Sequence, residues 1–334
     1  MPANFRYIKI LLLKVTLRKI FHAFANFSSY VLSNFFKVAV VWGMPCIVTI
    51  EPTNRCNLNC PECPSGNKSM TRKRGDIDKH FFYSLIDQIK KSTSALTLYF
   101  QGESYLHPDI FEIATYASSC KIIVNVSTNG HFLEIENAKK TVDSKMDHVI
   151  ISLDGFSQKD YQKYRIGGDM QKVLNGIKNL RLARTEKKSL RPFITAQVLV
   201  LKSNEKHLSE IKRIAIEHGA DRVVFKSAQF YDLQNASDLL PENPYWTRYR
   251  KDENGNFKIK NKIRNRCKRL WTNPVVTWDG MMIPCCFDKD ATFPLADLTK
   301  IKSKDAWKSP SFNLFRKQVL HSRKKVQICC NCTE

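Results

Sequence analysis

The chain has 334 residues, 43% of them hydrophobic and 25% charged, with a formal net charge of +23. That composition suits one large folded domain plus a smaller one, and sets aside disordered and fibrous classes. The charge favours anionic partners: nucleic acid, anionic lipid, phosphorylated small molecules or an acidic protein. Eleven cysteines, an odd number, fall in clusters, and the apolar run near the start is broken by Lys9, Lys14, Arg18 and Lys19. Such a run is not a secretory signal. Clustered cysteines without one read as metal ligands in a reducing compartment rather than as a disulfide scaffold.

Residues 1–45 carry Arg6, Lys9, Lys14, Arg18, Lys19 and Lys37, with no acid before Glu51. Ile10, Leu13, Leu17, Ile20, Phe24, Phe27 and Val31 recur in steps of three and four, a helical stripe, with the basic residues mostly opposite. No uninterrupted apolar run reaches the roughly 18 to 20 residues of a membrane span. Two readings fit this extension. One is a basic amphipathic helix lying on an anionic membrane surface through residues 1–37. The other is a helix that packs on the main domain and solvates its basic side.

From Ile47 onward, β-branched runs alternate with amphipathic stretches. The predicted strands span 47–52, 96–102, 121–127, 148–154, 193–200 and 222–227, each apolar almost throughout, as in a parallel sheet buried on both faces. Helical patterns lie between them, and "HLSEIKRIAIEHG" ends in Gly219, a plausible C-cap. Six such units predict a partial (β/α)6 TIM-like barrel, with an open doubly wound sheet as the alternative. No G-x-G-x-x-G loop is present, which argues against a nicotinamide enzyme.

Chemistry in such a fold gathers at the C-terminal ends of the strands. The first strand runs into "EPTNRCNLNCPEC", with Cys56, Cys60 and Cys63. The second runs into Gln101, Gly102, Glu103 and Ser104; the third into Ser127, Thr128 and Asn129; the fourth into Ser152 and Asp154. Three thiolates can hold three irons of a cubane [4Fe–4S] cluster and leave the fourth iron open. Zinc with three cysteines and a water is the other option, but the nearby sequence offers no convincing fourth ligand or base.

Farther on, "VVTWDGMMIP" predicts a small hairpin turning at Asp279-Gly280, with Cys267 before it and Cys285 and Cys286 at its end. The chain closes with Cys329, Cys330 and Cys332. Four cysteines in two separated pairs suit either zinc or a second [4Fe–4S] cluster. Cys46 and Cys120 read as core residues.

Cys56-x3-Cys60-x2-Cys63 directly after a first strand resembles the cluster motif of radical S-adenosylmethionine (radical SAM) enzymes. "QGESYLHP" resembles that family's Gly-Gly-Glu segment, with Gln101 replacing the first glycine, and "STNG" and "SLDG" recur after later strands in many members. The resemblance implies that Cys56, Cys60 and Cys63 bind the cluster and that SAM takes the open iron. It implies Gly102 and Glu103 near the methionyl amine, with Ser127 at the end of the third strand. Ser152 and Asp154 fall near the ribose, and Arg165 near the SAM carboxylate. Glu62 departs from the aromatic that many members place before the last cysteine, which leaves adenine packing unassigned. The C-terminal pattern is similar to a SPASM domain in its short, Twitch-type form. That implies one auxiliary [4Fe–4S] cluster on Cys267, Cys285, Cys329 and Cys332, with Cys286 and Cys330 as bystanders.

The expected organisation is an amphipathic extension over 1–45, a core barrel over 46–235, and a linker plus small iron–sulfur domain over 236–334. The leading expectation is an oxidoreductase in which a 5′-deoxyadenosyl radical abstracts hydrogen from an unidentified substrate. The expected outcome is net oxidation of a small molecule or of a membrane-associated glycan or lipid intermediate. A maturase acting on a ribosomally made peptide or protein is the first alternative, and a non-catalytic zinc-stabilised binding protein the second. Basic residues near both cysteine sets, such as Lys68, Arg72, Lys73 and Arg74, suit docking of a flavodoxin- or ferredoxin-like electron donor. The basic runs lack interleaved aromatics, so nucleic acid is not an expected partner. The expected location is the cytoplasm, with peripheral attachment at the inner face of the membrane left open by residues 1–37. Tyr105, His107, Gln197 and Lys226 are further candidates for the pocket wall.

Overall fold

The computed structural model describes residues 3–230 and 238–333. Two helices, α1 (Ala3–Leu12) and α2 (Leu17–Phe36), precede six strands: β1 (Ile47–Ile50), β2 (Ala95–Leu98), β3 (Ile123–Thr128), β4 (His148–Ser152), β5 (Phe193–Val200) and β6 (Arg222–Ser227). Between them run α3 (Lys79–Ile89), α4 (Ile110–Ser119), α5 (Ile135–Asp143), α6 (Gln158–Tyr164), α7 (Met170–Glu186) and α8 (Leu208–His218). All six strands pair in parallel and in sequence order, the arrangement of a partial barrel. The expected boundary at 235/236 lies outside the described residues.

The strands are less uniform than their composition suggests. Val48, Ile50, Leu96, Leu98, Val124, Val126, Val149 and Ile151 join one core with Phe82, Leu85 and Ile86 of α3 and Val173 and Ile177 of α7. The alternate positions Thr49, Thr97, Asn125, Ser127 and Gln197 are polar. Successive side chains leave a strand on opposite faces, so the sheet has an oily helix-covered side and a polar inner side. Each fully buried aliphatic side chain contributes about 1.5–3 kcal/mol. Asp78, Ser157 and Asp169 cap α3, α6 and α7 by accepting the backbone N–H of Phe81, Asp160 and Lys172. Gly219 ends α8 in the left-handed region at φ 112°, as its place in the sequence predicts.

After β6 come a small ribbon, β7 (Tyr249–Lys251) with β8 (Phe257–Ile259), and α9 (Arg269–Thr272). The hairpin of β9 (Val275–Val276) and β10 (Met281–Ile283) forms where predicted. Its placement is new: β9 pairs in parallel with β1, and β11 (Ala296–Asp297) adds beside β10, giving one nine-stranded sheet. Helices α10 (Ser303–Trp307) and α11 (Pro310–Ser322) follow. Buried Trp271 and Trp307 donate their indole N–H to the carbonyls of Val40 (2.8 Å) and Gly43 (3.0 Å), tying the C-terminal segment to the chain before β1.

The N-terminal extension departs from the reading in which its stripe packs on the main domain and its basic side is solvated. Thr16 caps a second helix, so the extension is two helices rather than one. Of the stripe, Ile10 alone is buried, while Leu13, Leu17, Ile20, Phe24, Phe27 and Val31 are exposed. Lys14 and Lys19 point inward instead. Lys14 pairs with Asp147 and donates to Ser118 Oγ (2.9 Å) and the Ile122 carbonyl (2.8 Å); Lys19 donates to the Lys121 carbonyl (2.5 Å). Lys14 and Lys19 are therefore withdrawn from water, whereas Lys9, Arg18 and Lys37 stay exposed. Carbonyls, a hydroxyl and a carboxylate near the strand starts give Lys14 three hydrogen-bond partners and Lys19 one, partners that apolar side chains cannot use.

Candidate functional site

The site forms at the C-terminal ends of β1 to β4. Past β1, the backbone of Thr53 to Arg55 is clasped by the turn after β2: Glu103 donates its N–H to the Arg55 carbonyl at 2.7 Å. That turn needs Gly102, which has φ 77°. A Cβ there would lie 2.6 Å from the Thr53 carbonyl oxygen and 2.7 Å from that of Arg55. β2 ends at Leu98, so Tyr99 to Gly102, expected as strand, leave the sheet. The cysteine loop then folds over itself. Gly66 and Asn67 donate to the Cys63 carbonyl (both 2.8 Å), and a Cβ on Gly66 would lie 2.6 Å from the Cys60 nitrogen.

A cavity of about 150 Å³ opens among these ends, lined by Cys56, Cys60, Cys63, Gly102, Glu103, Ser127, Ser152 and Arg165, together with Tyr99 and Asn129. The three cysteines and five of the six expected cofactor contacts thus meet in one place. Asp154 stands behind the wall. Its Oδ2 accepts from Arg165 Nε at 2.5 Å and its Oδ1 from the Leu199 N–H at 2.6 Å. Arg165 sits at the C-terminal cap of α6, largely buried. Its Nη1 lies 3.7 Å from the Cys60 sulfur. Burial opposes its charge, but Asp154 and Cys60 outweigh that and hold its pKa well above the ordinary arginine range.

The Glu103 carboxylate is buried and accepts the N–H groups of Asn129 (2.7 Å) and Tyr105 (3.2 Å). Burial raises its pKa, and those backbone donors oppose the rise. Asn129 also donates to Asn57 Oδ1 at 2.7 Å, joining the third strand end to the cysteine loop. Burial pushes the Cys56 thiol up to about 11 and raises Cys60, where Arg165 works against it. Buried thiols in this state hold their protons until a metal centre compensates the thiolate charge.

Four further cysteines, Cys267, Cys285, Cys329 and Cys332, are buried, whereas Cys286 is half-buried and Cys330 exposed. The four influence one another's ionisation, Cys267 with Cys332 and Cys329, and Cys285 with Cys267 and Cys329, although burial and then the adjacent Cys286 act on Cys285 more strongly. Arg323 joins them, donating to the Cys332 sulfur at 3.1 Å. The two neighbours turn elsewhere. Cys330 donates to the Lys324 carbonyl (3.3 Å), and Cys286 receives Arg269 Nη1 at 3.6 Å. Burial, with a push from Cys286, raises the Tyr99 pKa, so Cys286 lies toward the first cavity. Cys46 and Cys120 are half-buried and outside both sets.

Other candidates from the sequence have structural duties. Tyr105 is buried with its hydroxyl against Thr141 Oγ1 (2.9 Å), and His107 Nε2 bonds the Ile77 carbonyl (2.9 Å). Gln197 and Lys226 are not among the residues around the cysteine cavity. Arg72, expected on a basic surface, forms a two-pronged pair with buried Glu51, both contacts at 2.8 Å. Tyr99 and Phe100 line the cavity but were hidden in an apolar run that reads as strand.

A family model described as the radical SAM superfamily matches residues 50–217, and one described as an iron–sulfur cluster-binding domain, SPASM, matches 267–333. The chain belongs to the radical SAM superfamily. A tungsten-containing aldehyde ferredoxin oxidoreductase cofactor-modifying protein of Pyrococcus furiosus is 24% identical over 294 residues, covering 80% of this chain and 82% of that one. A PqqA peptide cyclase of Gluconobacter oxydans is 25% identical over 293 residues, covering 81% and 79%. The fold matches Streptococcus suis SuiB bound to S-adenosylmethionine with a TM-score of 0.64 at 14% identity, over 83% of this chain and 68% of that one. As a radical SAM enzyme with a SPASM domain, the protein uses a [4Fe–4S] cluster held by three cysteines and SAM, plus an auxiliary [4Fe–4S] cluster. The donor sets fit both groups. Among the described residues, no three His, Cys, Asp or Glu side chains converge on a point for one metal ion. A cluster does not require that, because each thiolate binds a different iron.

Proposed function

We propose that this radical SAM enzyme is a maturase that modifies a ribosomally made peptide or protein. The observation that carries the reading is the likeness to the PqqA peptide cyclase across four-fifths of both chains. A second cavity of about 370 Å³ supports it. It lies between the loop after Cys63 (Pro64, Asn67, Ser69) and the loop after Cys286 (Phe287 to Asp290), where a substrate strand would pass between the two sets.

In this reading Cys56, Cys60 and Cys63 hold the catalytic cluster, and Cys267, Cys285, Cys329 and Cys332 the auxiliary one. When bound, the reduced cluster and SAM supply a 5′-deoxyadenosyl radical that takes a hydrogen atom from the substrate. The chain's part is positioning and electrostatics. Gly102 and Glu103 set the turn that faces the methionyl amine, and Ser127 and Ser152 offer hydroxyls to the remainder of SAM. Arg165, braced by Asp154, places a fixed positive charge beside Cys60 and the SAM carboxylate. Exposed Lys68, Lys73 and Arg74 receive an acidic flavodoxin- or ferredoxin-like donor. The functional division is an extension over 1–45, a core barrel over 46–235 and an auxiliary-cluster segment over 236–334.

One feature favours a second reading, net oxidation of a small molecule or of a membrane-associated glycan or lipid intermediate. Four buried thiols form a closed set suited to accepting an electron from a substrate radical.

The test is anaerobic turnover with SAM and a reductant. Replacing Cys56, Cys60 and Cys63 together by Ala abolishes 5′-deoxyadenosine formation; persistence of that product rejects the cluster assignment. Deuterated peptides encoded beside the gene distinguish the two readings. Deuterium transferred into 5′-deoxyadenosine supports the maturase, and its absence, with transfer from a small polyol instead, supports the oxidation.

A further inference from the structure

Fifteen of the twenty-two exposed large apolar side chains among the described residues lie between Phe5 and Trp42. They include six phenylalanines, and Leu17, Phe35 and Phe24 are 87%, 80% and 68% exposed. Several polar residues face the protein instead: Lys19, Asn26, Ser29 and Ser33 of α2, and Lys14 between the helices, are buried. A helix pair that only completed a core would have the opposite order. So large an apolar face marks an interaction surface.

The helices sit under one end of the barrel. Lys14 and Lys19 bond the Ile122 and Lys121 carbonyls just before β3, and Lys14 pairs with Asp147 just before β4. Tyr7 packs on His148 and Phe193, the first residues of β4 and β5, and Arg6 pairs with Asp221 just before β6. The cysteine cavity lies at the other ends of these strands. Six residues of β3 separate the two faces, a rise of about 20 Å.

We propose that α1 and α2 dock the protein on an anionic lipid bilayer, with the N-terminal end of the barrel against the membrane and the catalytic mouth facing water. Charge selects this occupant. No acid precedes Glu51, and exposed Lys9, Arg18 and Lys37 fringe the apolar face. A second copy would bring two basic faces together, whereas anionic headgroups attract them. None of the described helices is long and apolar enough to cross a membrane, so the apolar face lies in the interface plane. Where this inference touches substrate, it rests on the radical SAM reading of the opposite face. A lipid-embedded substrate at the docked face is separated from the mouth by the height of the barrel. The substrate therefore arrives from the aqueous side, as a peptide does.

Flotation of the full-length protein with vesicles provides the test. The protein should bind phosphatidylcholine vesicles containing phosphatidylglycerol, and Phe24→Glu/Phe27→Glu should weaken that binding by about tenfold or more. The same variant should form 5′-deoxyadenosine at the wild-type rate, which verifies its fold. Brominated acyl chains should quench tryptophan fluorescence, and Trp42→Phe should remove most of that quenching. Absence of vesicle binding, or binding indifferent to the Phe variants, overturns the proposal. So does a dimer or a captured protein partner that the same variants dissolve. Quenching that survives Trp42→Phe and vanishes in Trp278→Phe overturns the orientation, since Trp278 lies beside Glu51 at the catalytic end. A protein that floats but forms no 5′-deoxyadenosine would sink the catalytic reading and leave the docking intact.

Discussion

The guanidinium of Arg323 donates to the sulfur of Cys332 at 3.1 Å from an almost fully buried position. Its Nη1 also holds the Arg266 carbonyl at 2.6 Å, one residue before Cys267, so a single head group spans two of the four thiol segments. Burial disfavours its charge, but Cys267 and Cys332 override that and raise its pKa. We expect Arg323→Met to halve the iron retained after reconstitution while 5′-deoxyadenosine formation continues. Arg323→Lys, which keeps charge but not the fork, should recover part of the iron. Iron analysis with electron paramagnetic resonance checks both. Unchanged iron in Arg323→Met would reduce Arg323 to packing.

Gly102→Ala should impair SAM binding more than folding. Its positive φ strains any L side chain by about 1–3 kcal/mol. The added Cβ also meets two backbone carbonyls, which cannot swing aside as a flexible side chain can. Equilibrium dialysis with labelled SAM, beside circular dichroism, separates the two effects. Wild-type affinity would show that the turn relaxes without cost.

Stability should depend on His148 in mildly acid solution. Burial, with help from Arg222, pushes its pKa down to about 4. An unfolded histidine titrates near 6.5, so between the two values the unfolded state binds more protons and stability falls as pH falls. The full loss across that window is about 3 kcal/mol. Urea denaturation of the wild type between neutral pH and the window's lower edge, against His148→Gln, isolates this slope. Parallel slopes would contradict it.

Lys14→Met should loosen α1. Asp147 would keep Arg191 at 3.2 Å and the Val124 N–H at 2.8 Å, yet lose its closest cation in a buried setting. Breaking one side of a buried pair costs about 3–5 kcal/mol. Limited proteolysis should cut before Thr16 faster than in the wild type. An unchanged rate would mean that Tyr7 and Arg6 hold α1 by themselves.

The three-cysteine segment is the most legible part of the sequence, because Cys56, Cys60 and Cys63 crowd into eight residues and the strand ends carry short polar words. Six strands and the Asp279-Gly280 turn were legible for the same local reasons. What periodicity could not reveal is which face of an element meets the protein. The stripe of α2 was read correctly as a stripe, but Lys14 and Lys19 won the inner face through long-range partners at 118, 122, 121 and 147. Arg72 likewise looked like surface charge until its partner Glu51, twenty-one residues earlier, came beside it. Asp154 is expected as a cofactor contact; that its oxygens accept from Arg165 and Leu199 is visible only in the fold.

The pairing of β9 with β1 has a consequence for synthesis. While the polypeptide is still emerging, β1 gains β2 on one side but keeps a bare edge on the other until residue 275 arrives. Bare edges recruit foreign strands. Truncation before the hairpin therefore yields more than a shortened enzyme: it yields a sticky one, with Cys56, Cys60 and Cys63 beside an unguarded ladder.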